Sequence, residues 1–125
     1  MKIRIPIEDY NAAIDILRRR AAKHEWDTWD TVDVKLKNGK TVKRLIHVPN
    51  GDDQYKVVQL KLCIPSKEDQ KKGLKYLDLV PFITDSSLTD KQKRDKKGIV
   101  LGRFCEILNR YFPKLSGYRV ILKEK

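Results

Sequence analysis

The chain has 125 residues, 40% of them hydrophobic and 36% charged, and its 28 Lys and Arg residues against 17 Asp and Glu residues give a net charge of +11. This composition excludes an intrinsically disordered chain and is typical of one globular domain, which we expect to span residues 1–125. The positive charge favours a polyanionic partner, either nucleic acid or an acidic protein, although many small basic proteins use such charge only for solubility.

The positive charge is unevenly distributed along the sequence. Residues 1–34 carry a net charge of −1, residues 35–85 carry +5 and residues 86–125 carry +7. All of the excess therefore belongs to the middle and the last third of the chain, which favours a binding face over a surface that is basic throughout.

Nothing in the sequence indicates export, membrane insertion or a cofactor. The N-terminal stretch lacks the apolar segment of a signal peptide, and no apolar run approaches the length of a transmembrane helix. Cys63 and Cys105 lie far apart in apolar surroundings, which predicts buried free thiols. We therefore expect a cytoplasmic protein with no membrane partner, no metal and no cofactor.

The first third of the chain reads as a strand followed by a helix. Residues 2–5 alternate charged and apolar side chains, as a short strand does, and Pro6 ends the run. Over residues 8–23 apolar residues recur at helical spacing, which predicts a helix whose apolar stripe packs on a sheet. The stripe consists of Tyr10, Ala13, Ile14, Leu17 and Ala21.

Residues 24–30 combine two tryptophans with several acids. The first interpretation is a connector whose indoles, Trp26 and Trp29, cover the edge of the core. Two alternatives are a metal site and a metal-dependent nuclease site, but the spacing fits no standard ligand set. The candidate ligands would be His24, Glu25, Asp27 and Asp30, with Asp33 and Lys35 added for the nuclease.

Residues 31–64 carry the clearest pattern, which predicts a three-stranded antiparallel meander. Two runs of alternating apolar and polar residues flank Asn38-Gly39, and this pair predicts a hairpin with a type I′ turn. A third alternating run spans Tyr55 to Ile64.

The alternation also predicts which face of the meander is buried. We expect Val32, Val34 and Leu36 to face the core, together with the alternate residues of the next two strands that include Val42 and Val58. Arg44 falls in the Val42 set and does not fit a buried position, which predicts a bulge or a strand edge there. The outer face would then mix cations, aromatic rings and apolar groups. Its members would be Asp33, Lys35, Lys37, Lys43, Leu45, His47, Tyr55, Val57, Gln59 and Lys61.

The last third of the chain predicts one long helix between two strands. Residues 74–83 are apolar, but Pro81 argues for an edge strand or a packed loop. Thr89 and Gln92 match a capping box, yet the basic run over residues 91–97 opposes the helix dipole, so we expect the helix proper over residues 99–112. Residues 118–122 read as a final strand.

The predicted fold is α+β, an antiparallel sheet of about four to five strands, made of the meander over residues 31–64 plus the C-terminal strand, with two helices on one face. The predicted function is a small, basic, non-enzymatic nucleic-acid-binding protein, with DNA or RNA left open. Its candidate phosphate contacts are Lys35, Lys37, Lys43, Lys61, Lys91, Lys93, Arg94, Lys96 and Lys97, and its stacking candidates are His47 and Tyr55.

Two alternatives stay open. In the first, the outer sheet face binds a protein partner or a second copy of the chain, as in an accessory or inhibitory protein, because Leu45, Val57 and Tyr55 are too apolar for a purely solvated face. The second alternative, an enzyme, ranks last because two histidines and no catalytic motif supply little acid–base chemistry.

Overall fold

The computed structural model describes residues 1–23, 25–26, 28–49, 53–111 and 119–121, and it shows a sheet with two long helices on one face. The elements are β1 (Lys2–Pro6), α1 (Tyr10–Ala22), β2 (Trp29–Lys35), β3 (Thr41–His47), a 3₁₀ turn (Asp53–Tyr55), β4 (Val58–Cys63), α2 (Lys67–Lys71), β5 (Tyr76–Ile83), α3 (Asp90–Tyr111) and β6 (Arg119–Ile121).

The sheet is antiparallel throughout and has the order β2-β3-β4-β5-β1-β6. Strand β1 lies between β5 and β6, so the first strand in sequence is internal to the sheet. The predicted α+β class and antiparallel sheet are confirmed, and with β1, β5 and β6 all joining the meander the sheet reaches six strands.

The expectation that residues 74–83 form an edge strand or a loop is wrong. Strand β5 pairs with β4 from Asp78 to Ile83 and with β1 from Tyr76 to Leu79. Pro81 lies beyond the last β1 pair and is opposite Leu60 of β4 only. Its missing N–H is therefore tolerated because the strand has a partner on one side at that point.

The β2–β3 hairpin is confirmed, but its predicted turn type is wrong. Leu36 N–H donates to the carbonyl of Lys40 (2.8 Å), so three residues, not two, close the loop. Gly39 takes a left-handed conformation, with φ of +84°. A three-residue loop with glycine at its last position matches the twist of the two strands as well as a type I′ turn does.

Helix α3 begins about nine residues earlier than expected. The capping box is present: Gln92 N–H donates to Thr89 Oγ1 (3.1 Å) and Thr89 N–H donates to Gln92 Oε1 (2.8 Å). The prediction of a helix start near residue 99 is wrong because Lys and Arg are good helix formers, and the cap outweighs their unfavourable position in the helix dipole.

The core lies between the sheet and helices α1 and α3. Ile14 and Leu17 of α1 and Val100 and Phe104 of α3 are buried against Ile3, Ile5, Leu45, Val58, Leu60, Leu77 and Leu79 of the sheet. Both tryptophans are buried edge-on to the Phe104 ring, with centroid distances of 6.1 Å for Trp26 and 5.2 Å for Trp29. Both indoles pack in the core as expected, but the connector interpretation is wrong for Trp29, which is the first residue of β2.

Candidate nucleic-acid interface

The two faces of the sheet are assigned differently from the prediction. Leu45 of β3 lies opposite Leu60 of β4, so the side chains of Leu45 and His47 face the helices and those of Val42 and Arg44 face away. Trp29 pairs with His47 and starts β2 on the helix side, which turns Val32 and Val34 outward. The expected burial of the Val32 and Val42 parities is therefore wrong, whereas that of the Val58 parity is correct.

We call the sheet surface that faces away from α1 and α3 the open face. The strand registers place on it one side-chain parity from each strand. Its described side chains are Lys2, Arg4, Asp30, Val32, Val34, Val42, Arg44, Ile46, Gln59, Lys61, Cys63, Tyr76, Asp78, Val80 and Phe82. Four of these carry positive charge and two carry negative charge, so the face is basic.

An exposed aromatic ring lies on the open face near the C-terminal end of β5. Phe82 of β5 is 39% exposed. The Lys61 ammonium lies 4.1 Å from its ring centroid, and the Arg44 guanidinium carbon lies 5.6 Å away. Arg44 also donates to Gln59 Oε1 (3.0 Å), and Gln59 is the cross-strand neighbour of Phe82. Lys61 therefore lies over the ring of Phe82 with Arg44 nearby, and the residue stays partly exposed to solvent.

An ion-pair cluster lies on the open face toward the N-terminal end of β5. Asp78 is 7% exposed and accepts two hydrogen bonds from Arg4, at 2.9 Å to Nε and 3.1 Å to the terminal nitrogen, while Lys2 Nζ lies 3.1 Å away. The hydrogen bond to Asp78 raises the pKa of the Arg4 guanidinium. The same guanidinium lies 3.8 Å over the Tyr76 ring, and Tyr76 is only 8% exposed, so this second aromatic group is not accessible.

Two further side chains on the open face, those of Tyr76 and Cys63, have raised pKa values. The hydrogen bond from the Tyr76 hydroxyl to Asp69 raises the pKa of the phenol. Burial raises the pKa of the Cys63 thiol, which lies opposite Asp78 in the sheet. A thiol with a raised pKa is less often ionised at neutral pH and is therefore a weaker nucleophile. Both Cys63 and Cys105 are free and half-buried.

The predicted stacking residues lie on the helix side. His47 is only 4% exposed, with Nδ1 3.1 Å from the carbonyl oxygen of Thr28, and its ring contacts Trp29 and Tyr55 at centroid distances of 4.7 and 5.9 Å. Because a carbonyl only accepts, Nδ1 carries the proton. Tyr55 is half-buried, and the Lys96 ammonium lies 5.5 Å from its ring.

These rings border a cavity of about 300 Å³ on the helix side, between the end of β3 and helix α3. Arg103 and Glu106 of α3 lie at its rim and pair with each other at 3.3 Å. Two predicted residues, His47 and Tyr55, therefore line this cavity, and Lys96 lies near the Tyr55 ring.

The predicted phosphate contacts fall into three places. Lys35 and Lys43 lie on the helix side of the hairpin, where Lys43 pairs with Asp33 at 3.0 Å, and Lys37 is in the hairpin loop. The run Lys91, Lys93, Arg94, Lys96 and Lys97 occupies the first two turns of α3, where Lys96 donates to the carbonyl of Gln54 (3.4 Å). Lys61 alone lies on the open face. The lysines that were expected on one sheet face therefore lie on both sides of the sheet and in the hairpin loop.

Sequence reasoning missed Arg44 and Phe82 as members of a site. The available signal was Arg44 itself, because a charged residue within a valine parity indicates a parity that faces solvent. The hypothetical metal ligands His24 and Asp27 lie outside the described residues. Among residues that the structure does describe, no group of three or more His, Cys, Asp or Glu side chains could hold a metal ion.

No helix within the described ranges has the length and apolar character needed to cross a membrane. Comparisons of the chain with protein-family models, with curated proteins and with solved structures found no match.

Proposed function

We propose that this protein is a non-enzymatic nucleic-acid-binding protein that uses the open face of its sheet. The observation that carries the proposal is the exposed ring of Phe82 with the cationic groups of Lys61 and Arg44 beside it. Sheet surfaces that combine accessible aromatic rings with cations can bind bases through the rings and phosphates through the cations.

The two cations beside Phe82 are available to an anionic ligand. Arg44 is hydrogen-bonded to a neutral amide and Lys61 lies over the ring, and no described carboxylate is within ion-pair distance of either. In contrast, Lys2 and Arg4 are paired with Asp78. Phosphate contacts are therefore assigned to Arg44 and Lys61 first, and the basic turns of α3 supply a second, more distant source of attraction.

The test compares two charge reversals of equal size on different surfaces. The variant R44E/K61E changes the open face, and the matched control K35E/K37E changes the helix-side hairpin by the same total charge. Binding of labelled single-stranded DNA, RNA and duplex DNA is measured by fluorescence anisotropy over a range of salt concentrations. We expect R44E/K61E to weaken binding of the preferred class at least tenfold and the control to weaken it far less.

The salt dependence gives a second readout. Each lost phosphate contact lowers the slope of log K against log salt by about 0.7 for a single strand or about 0.9 for duplex DNA, so R44E/K61E should lower it by roughly 1.4 to 1.8. Equal effects of both variants would show dispersed attraction and overturn the assignment to the open face. Absence of binding by the unmodified protein at low salt would overturn the function.

A second candidate function is favoured by the apolar part of the open face. Val32, Val34 and Val42 are half-buried on adjacent strands at the β2 edge and could pack against a second copy or another protein. The residues first considered for such an interface do not serve it, because Leu45 is fully buried and Val57 packs against the core. Light scattering of V34K against the unmodified protein tests this candidate: a dimer lost in the variant supports it, and a monomer in both opposes it.

A further inference from the structure

We infer that the open face takes an unpaired nucleobase on the ring of Phe82, so that the protein prefers single strands to duplexes. This inference rests on the proposed function and adds the class of nucleic acid and the contact that selects it. Among the exposed large apolar side chains of the described residues, Phe82 is the only aromatic one.

The ring chemistry selects against a duplex. In a double helix each base is stacked on its neighbours, and a protein surface meets only phosphates, sugars and base edges. The flat face of a phenyl ring gains most from the flat face of a base, which is accessible only in an unpaired strand. An exposed Phe82 therefore contributes to binding of a single strand and adds little to binding of a duplex.

The neighbours of Phe82 match the other parts of a nucleotide. Arg44, Lys61 and Phe82 lie on the adjacent strands β3, β4 and β5, so the cations and the ring follow one another across the sheet. Adjacent strands are roughly 5 Å apart, so this arrangement has the dimensions of one or two nucleotides. A strand crossing β3 and β4 along the cations would bring one base over β5.

Gln59 supplies a polar contact beside the stacked base. A guanidinium only donates hydrogen bonds, so the Gln59 atom that faces Arg44 is the oxygen, and its amide N–H groups remain as donors. No described residue accepts from this amide nitrogen. Gln59 can therefore donate to a carbonyl or ring nitrogen of the base next to Phe82, which every natural base offers.

Among the described residues, the open face offers one accessible ring. Tyr76 is the other aromatic residue of β5 on this side, but it is only 8% exposed. The inference therefore predicts one stacking contact per protein molecule, with weak sequence preference.

The test separates bases from phosphates. Anisotropy titrations use an oligothymidylate, an abasic deoxyribose-phosphate strand of equal length, and a duplex of the same length. The variants are F82A, F82L and F82Y, and the matched control is L74A, which removes another exposed apolar side chain outside the strands of the sheet. We expect F82A to weaken oligothymidylate binding on the order of tenfold and to leave abasic-strand binding unchanged.

The conservative variants keep the result interpretable. F82Y should restore binding to oligothymidylate, because it retains the π face, and F82L should not, although it retains apolar volume. If F82A does not fold, as judged by tryptophan fluorescence, F82L carries the test. L74A should behave like the unmodified protein.

Three outcomes would overturn the inference. Equal loss of abasic and base-bearing strands in F82A would show no stacking, and duplex binding as tight as single-strand binding would show no selection. A change of oligomeric state in F82A would show that a second copy covers the ring. If R44E/K61E weakens binding but F82A does not, the proposed function stands without the inference, and if no strand binds, both fail.

Discussion

Replacing Asp78 by Asn should destabilise the fold far more than an apparently similar replacement at another ion pair. Asp78 of β5 receives two hydrogen bonds from Arg4 and lies 3.1 Å from Lys2, so one carboxylate holds both cations of β1. Its side chain is 9% exposed, and those of Lys2 and Arg4 are each 31% exposed. Asn keeps the volume of the side chain and removes its charge.

The expected magnitude follows from this intermediate burial. Breaking a fully buried pair costs about 3–5 kcal/mol, and breaking an exposed pair costs about 0–1 kcal/mol. The cluster around Asp78 lies between these limits, because the acid is buried and the cations are partly solvated. We expect D78N to lower the free energy of unfolding by about 2 kcal/mol.

The matched control is D33N. Asp33 and Lys43 are 3.0 Å apart, a distance like those at Asp78, but their side chains are 63% and 51% exposed. We expect D33N to change the free energy of unfolding by less than about 0.5 kcal/mol. Urea unfolding followed by tryptophan fluorescence measures both variants, since Trp26 and Trp29 are buried beside Phe104. Equal effects of D78N and D33N would refute the argument that burial decides the strength of these pairs.

Three further predictions follow from local geometry. G39A should lower the free energy of unfolding by about 1 kcal/mol, because φ is +84° at this position. G98A should raise the free energy of unfolding by about 0.5–1 kcal/mol, since this position in α3 has open space for a methyl group. Urea unfolding measures both variants, and changes of the same sign would contradict the reasoning. T89A should cost about 1 kcal/mol by the same measurement, through loss of the cap on α3, and no change would show that the cap is dispensable. Under the proposed function, oligonucleotide should slow alkylation of Cys63 on the open face and leave that of Cys105 on α3 unchanged, as measured by mass spectrometry; equal protection would contradict it.

The sequence predicted the elements of this fold well because their signals are local. Apolar spacing placed α1 within two residues at its N-terminus, and alternation with a turn pair located the β2–β3 hairpin. The capping pair of Thr89 and Gln92 is also readable from the sequence. The basic run after it opposes the helix dipole and therefore predicted a later start of α3 than the structure has.

The assignment of faces failed because it depends on long-range register. In β2 and β3 both parities carry apolar residues, and the choice between them rests on the pairing of Leu45 with Leu60, which alternation alone does not determine. Trp29 would have indicated the correct choice. It is the largest side chain of β2, and it points to the same side of the sheet as Thr31 and not Val32.

The candidate site was only partly predictable for the same reason. Lys61 was selected from its own strand, but its proximity to Phe82 and Arg44 requires the pairing of three strands from distant parts of the sequence. The basic composition favours a polyanionic partner only as a hypothesis, and the tertiary arrangement is needed to show which cations lie near an exposed ring.

The internal position of β1 has a consequence for how the chain reaches its fold during synthesis. Ile3 pairs with Leu79 on one side and with Val120 on the other, so both partners of β1 are synthesised well after it. The hairpin of β2 and β3 and the pair of β4 and β5 join segments that are close in sequence, and such contacts form early. We expect β1, with its two buried isoleucines, to remain unpaired until β5 has emerged, and its second edge to remain open until α3 and β6 follow.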